Sequence, residues 1–267
     1  MKKVVLALAT IVLSATIISC KNESKEVTSE VNPEQDITQI PSEDIALADV
    51  NTETTAAGEY LYVLASSGLS LREFGNLQSD KLAKMPYGTK VKVINAEDKA
   101  TMTVGGIKGG MDEVEFNHKR GFAFNGYLSK YFPPELNITA KGYASELNQY
   151  FPDVMYSEEN GGTASSPEST QSILLPQAEW HDAFFIAQGL FDFPKEFDFP
   201  NPKGKDEQTV ADSKPKKDVW TSELEIKRKD NTLEKISYVY KSKKLDNLVV
   251  IEKTDKGMKI SKTEKIK

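Results

Sequence analysis

The chain has 267 residues, with 34 Lys and Arg against 40 Asp and Glu, a formal charge of −6, two histidines and one cysteine, Cys20. An acidic balance excludes a protein that holds nucleic acid by a strong positive field. A single thiol excludes a disulfide framework and a thiolate metal cluster.

At the amino end, Lys2 and Lys3 precede an apolar run from Val4 to Ile18 that is broken only by Thr10, Ser14 and Thr16. This is the layout of a secretion signal, residues 1–19. The run is shorter than the roughly 20 apolar residues of a spanning helix. Ile17-Ile18-Ser19-Cys20 resembles the bacterial lipobox, and the resemblance implies that Cys20 becomes the first mature residue, joined to diacylglycerol through its sulfur. One acyl chain holds a bilayer only marginally and two or more hold it stably, so Cys20 is expected to act as an anchor. With its sulfur committed there, Cys/His catalysis is excluded as well.

Residues 20–58 then form an acidic tether. From Lys21 to Gly58 there are nine acids, two lysines, two prolines and no aromatic residue. Such a segment cannot bury enough apolar surface to offset its ordering entropy, and disorder is expected. As a random coil it would span ~35 Å, and fully drawn out ~130 Å.

Tyr60 is the first aromatic of the chain, and folded structure is expected from there on. Through residue 131 short strands alternate with turn signals. "YLYVLA" is β-rich, Leu69 and Leu71 repeat at period two, Val91 and Val93 follow Pro86-Tyr87-Gly88, and Val114 and Phe116 precede "RGFAFNGYLSKYF". In that order, "YVLASSGLSLRE", "KLAKMPYGTKVKVI" and "KRGFAFNGYLSKY" resemble successive signatures of the bacterial SH3-like (SH3b) domain, covering residues 59–134. The resemblance implies a small β-barrel with a groove of aromatics and polar loops that binds cell-wall (peptidoglycan) peptide or another extended segment. Tyr87, Phe116, Tyr127 and Tyr131 are the candidate ligand contacts; Phe122 and Phe124 share a strand face and are read as core. Gly88 suits a tight turn, and Gly121 a close backbone approach. Where such domains usually carry a tryptophan before the penultimate strand, this chain has Met111, which offers no rigid stacking face.

"FPPELN" ends the first module with two prolines that stiffen the junction, and a second module follows over residues 135–267. A short helix is expected over Tyr143 to Phe151, an exposed loop over "SEENGGTASSPESTQS", and an amphipathic helix of about 15 residues between Pro176 and Pro194, with Trp180, Phe184, Ala187 and Leu190 on its stripe. "FPKEFDFP" reads as a rigid edge segment. Four antiparallel strands close the chain, with turns at Asp230-Asn231, near Lys243-Lys244 and at Lys256-Gly257. The helix laid on their apolar face gives an α+β domain, so the expected fold class is mainly β. Lys214-Pro215-Lys216-Lys217 and Lys227-Arg228-Lys229 read as solvated faces or turns. His181, with Asp182, Asp192, Glu196 and Asp198 near it in sequence, is raw material for acid/base work or a metal site. It lies off the apolar stripe and outside any H-E-x-x-H pattern, and is read as a boundary histidine.

The reading that results is a non-catalytic adaptor, lipid-anchored through acylated Cys20, with no metal, cofactor or nucleic acid. It resembles lipoproteins of the Bacteroidetes type, which places it in the envelope, at the outer membrane facing periplasm or surface, with peptidoglycan or an envelope protein as partner. Two alternatives stand beside it: an enzyme or regulatory subunit of an envelope complex with its site in residues 135–267, and a structural spacer with a large exposed apolar patch.

Overall fold

The computed structural model describes residues 59–191 and 193–267. The expected signal, the lipidation at Cys20 and the acidic tether lie outside the described residues. Among the described residues no helix is long and apolar enough to cross a membrane.

Nine short strands come first: β1 (Tyr60–Val63), β2 (Leu69–Arg72), β3 (Lys81–Met85), β4 (Lys90–Asn95), β5 (Met102–Val104), β6 (Ile107–Gly109), β7 (Met111–Phe116), β8 (Lys119–Phe124) and β9 (Leu128–Ser129). Seven of them make one antiparallel sheet in the order β3-β2-β8-β7-β4-β1-β9, and β5 pairs with β6 alone. The order ends in two free edges, so the sheet is open rather than closed into a barrel. Its turns follow from local chemistry. Asn117 and His118 join β7 to β8 with φ of 48° and 61°, the two positive values that a type I′ hairpin turn requires. Gly88 also has positive φ, and a Cβ on Gly121 would stand 2.5 Å from the Arg72 carbonyl, so β8 approaches β2 only as glycine. Leu71, Val91 and Val114 are fully buried inside.

The remainder comprises α1 (Ala140–Asn148), β10 (Met155–Thr163), β11 (Ser166–Leu175), α2 (Trp180–Leu190), β12 (Glu207–Ala211), β13 (Val219–Lys229), β14 (Thr232–Ser242), β15 (Leu245–Thr254) and β16 (Gly257–Ile266). The four expected carboxyl-terminal strands are β13 to β16, but they belong to a seven-stranded antiparallel sheet, β10-β11-β16-β15-β14-β13-β12. The segment expected to be an exposed loop is the β10–β11 hairpin. Its strands are held by backbone pairing from Met155↔Leu174 to Thr163↔Ser166 and by β16 beside β11, and between Tyr156 and Ile173 no large apolar side chain betrays them. Asp230 and Asn231 sit at positive φ in the β13–β14 turn, as their sequence suggests.

Across this sheet Ile226, Ile236, Ile251, Ile260 and Ile173 pair in one continuous row, all buried. Helix α2 packs on β15 and β16 on that side. Its start is fixed by a capping box, in which the Glu179 backbone N–H donates to Asp182 Oδ2 at 2.9 Å. The helix has 11 residues rather than about 15, and Trp180 and Leu190 of the expected stripe are only half-buried. Ala183, Phe184, Ile186 and Ala187 are fully buried, because the helix is covered from two sides. Helix α1 begins at Ala140, earlier than expected, because the Thr139 hydroxyl accepts the Gly142 N–H at 3.0 Å as a cap. The described residues fall within one compact unit with one continuous hydrophobic core.

Two further readings are corrected. "FPKEFDFP" is core, not edge: its Phe193, Phe197 and Phe199 are all buried, as is Phe191 just before it, and Phe193 stacks on Tyr238 at 5.1 Å with an interplanar angle of 3°. Arg228 is not a solvated charge but is 4 % exposed. Its guanidinium donates to the Asn201 and Lys205 carbonyls, each at 2.9 Å, and to Gln208 Oε1 at 3.0 Å, pinning the segment that leads into β12. Burial lowers its pKa from the ordinary arginine value.

Candidate binding cleft

A cleft of about 580 Å³ opens between the first sheet and the α2 segment. One rim is the turn Ser66-Ser67-Gly68 after β1, and another is the Gly105-Gly106 turn of the β5–β6 hairpin. Tyr127 and Phe185 form an aromatic wall with ring centroids 5.9 Å apart, and Phe124 backs Tyr127 edge-on at 5.6 Å. Gly105 permits this arrangement: a Cβ there would come within 2.7 Å of the Tyr127 hydroxyl. The opposite wall is the aromatic segment after α2, braced by Gln188, whose Nε2 donates to the Pro194 and Phe197 carbonyls, each at 2.9 Å.

Charge in the cleft is mixed. Arg72 is held in place by donating to the Ser79 carbonyl at 2.7 Å, while Lys195 and Asp198 contribute opposite signs. Burial, with a smaller contribution from Asp198, raises the Tyr127 phenol above its usual pKa, so this hydroxyl keeps its proton and remains available as a donor. Aromatic faces beside turn backbone and both charge signs suit a polar, extended ligand better than a compact apolar one.

Of the four candidate contacts, Tyr127 alone lines this cleft. Tyr87 is half-buried, with Lys195 Nζ 5.8 Å above its ring and burial raising its phenol pKa. Phe116 is half-buried at the β7–β8 hairpin end, paired with Lys119. Tyr131 is withdrawn as a ligand contact, since it is 1 % exposed, its ring lies 4.7 Å from Phe151, and its hydroxyl accepts the Gln177 N–H. Met111 is buried in the core, so it presents no face to solvent either. Phe185, Gln188 and the turn glycines were not singled out by sequence: Phe185 and Gln188 lie off the expected helix stripe, and a glycine in a turn signals the turn and not a cleft.

His181 and Asp182 are structural neighbours. His181 Nε2 lies 3.9 Å from Asp182 Oδ1, Asp182 is engaged in the helix cap, and the imidazole packs edge-on to Phe199 at 6.3 Å. Among the described residues no group of three or more His, Cys, Asp and Glu side chains is placed to hold a metal ion. Compared with known families, curated proteins and solved structures, the chain matches none.

Proposed function

We propose that this protein is a lipid-anchored, non-catalytic binding protein of the bacterial envelope. In this reading residues 59–134 are an opened variant of the SH3-like module, residues 135–267 an α+β domain that completes its groove, and the acylated Cys20 and acidic tether carry both at the outer membrane. The observation that carries the reading is the cleft with Tyr127 on one side and the α2 segment on the other, because neither module encloses it alone. Its ligand is an extended polar segment: a cell-wall peptide or a strand of an envelope protein, docked on the Tyr127–Phe185 wall with its backbone bonded to the serine and glycine turns. The order of strand and glycine-turn signatures supports the module, and the apolar run ending at Ser19-Cys20 supports the anchor.

A photo-crosslinker placed at Tyr127 of the full-length protein in native envelopes tests the cleft. Cell-wall peptide or a discrete envelope protein should be captured, and co-sedimentation with purified cell wall or with that protein should weaken about tenfold in Tyr127→Ala. Capture of neither, or undiminished binding by the variant, overturns the reading. Mature protein without lipid mass on Cys20 overturns the anchor separately.

A further inference from the structure

The core-facing side of the second sheet changes character along its strands. Next to the isoleucine row, Leu224, Tyr238, Val249 and Lys262 pair across β13 to β16, and the following row is Ser222, Tyr240, Asn247 and Glu264. Four strands therefore present polar side chains side by side on a face that is apolar a few ångströms away. A pocket of about 400 Å³ stands over this row, within the size range of small-molecule sites.

Asn247 lines that pocket at 7 % exposure, and its Oδ1 has no hydrogen-bond partner among the described residues. That oxygen is closed off as the side chain now stands, and turning the amide toward the pocket makes it an unused acceptor there. Around it the pocket is organised: Ser222 Oγ donates to Asp212 Oδ2 at 2.7 Å and lies 3.1 Å from the Tyr238 hydroxyl, and Lys262 Nζ pairs with Glu264 Oε2 at 3.0 Å. The Tyr238 ring is fixed from behind by its stack on Phe193, with Tyr240 tilted beside it at 6.5 Å.

We infer that this pocket binds a neutral, hydroxyl-rich small molecule, a mono- or disaccharide, independently of the cleft beside Tyr127. A sugar hydroxyl donates to Asn247 Oδ1, Asp212 and Ser222 take further hydroxyls, and the C–H face of the ring packs on Tyr240 and Leu245. Neutrality follows from the lining, where Lys214, Lys216 and Lys262 are balanced by Glu196, Asp212 and Glu264. Part of the lysine cluster that reads as a solvated turn thereby becomes one side of the mouth.

Saturation-transfer NMR on the unlabelled full-length chain, with maltose, cellobiose and N,N′-diacetylchitobiose as probes and glucuronic acid against glucose as a charge control, tests this. At least one neutral disaccharide should receive magnetisation, and its affinity should fall about tenfold, the scale of one hydrogen bond, in Asn247→Leu and again in Tyr240→Ala. Leucine matches Asn247 in size without its polar atoms, and Tyr240 is only half-buried, so circular-dichroism melting identifies any variant that fails to fold and leaves the other to decide. No transfer to any neutral probe, wild-type affinity in both folded variants, or preference for glucuronic acid over glucose overturns the inference. Asn247 and Tyr240 line this pocket and not the cleft, so the two variants assign the signal to this pocket, and failure here leaves the cleft unaffected.

Discussion

The first sheet is made of strands two to six residues long, joined by turns whose residue types set the geometry, whereas the second uses central strands of ten or eleven residues packed through one row of isoleucines. Local chemistry specifies the first, and long-range packing the second. The two regions therefore differ in where a substitution hurts. In the first sheet the sensitive points are close approaches such as Gly121 and a buried polar network. In the second they are the aromatic plug after α2 and the arginine that ties down the approach to β12.

The sharpest way to break this contrast is Phe193→Ala. Phe193 touches Phe184, Phe197 and Tyr238, with centroid distances from 5.1 to 5.9 Å, so truncation should cost about 3–5 kcal/mol by urea denaturation. Phe122→Ala, in the half-buried layer of the first sheet, should cost clearly less; equal losses would mean that the two regions are packed alike. Next in size, Arg228→Met should cost about 2–4 kcal/mol, because two carbonyls and Gln208 lose their donor together. It should also speed amide exchange in β12 ahead of β13. Unchanged exchange in β12 would show that the segment is held by other contacts.

The smallest effect concerns Asp112 of the first sheet, whose Oδ1 accepts from the Glu97 N–H and from Asn125 Nδ2, each at 2.9 Å. Burial raises this carboxyl above its ordinary pKa, hydrogen bonds from Glu97 and Asn125 oppose that, and repulsion from Glu97 and Asp98 adds to it. The folded chain thus holds the proton more tightly than the unfolded chain. Stability from this group is greatest in acid, falls as pH rises from the ordinary carboxylate value through the folded one, and is level above that. Asp112→Asn should remove this slope and stay within about 1 kcal/mol of wild type at neutral pH, while Asp112→Leu should cost about 2 kcal/mol by leaving two donors unpaired. An unchanged pH slope in Asp112→Asn would assign the titration to another group.

The same contrast governs what could be read from the chain. Leu69, Leu71, Val91, Val93 and Val114 alternate, and Asp230-Asn231 announces its turn, because period and turn chemistry are local. The facing parts of β10 and β11 could not be read in this way: polar residues and Gly fill them between Tyr156 and Ile173, and what makes them strands is each other and, beside β11, β16 far away in sequence. Arg228 looked solvated among lysines because nothing near it in sequence names the carbonyls it meets. Of the cleft, only Tyr127 was legible, since an aromatic near the end of a strand set is a local signal. Phe185 faces it from a helix whose burial on two sides depends on the whole assembly.

Helix α2 touches the second sheet and the turns of the first module at once. Phe185 meets Tyr127, and at Gly189 a Cβ would collide with Pro134 and approach the Tyr87 hydroxyl, so the backbone there lies directly against the turn between β3 and β4 and the segment after β9. A shared helix of this kind makes the two halves co-dependent. Severed between residues 134 and 135, either fragment would show water the apolar surface it now hides, and a differential scanning trace of the intact protein should contain one peak where a string of autonomous modules would give two.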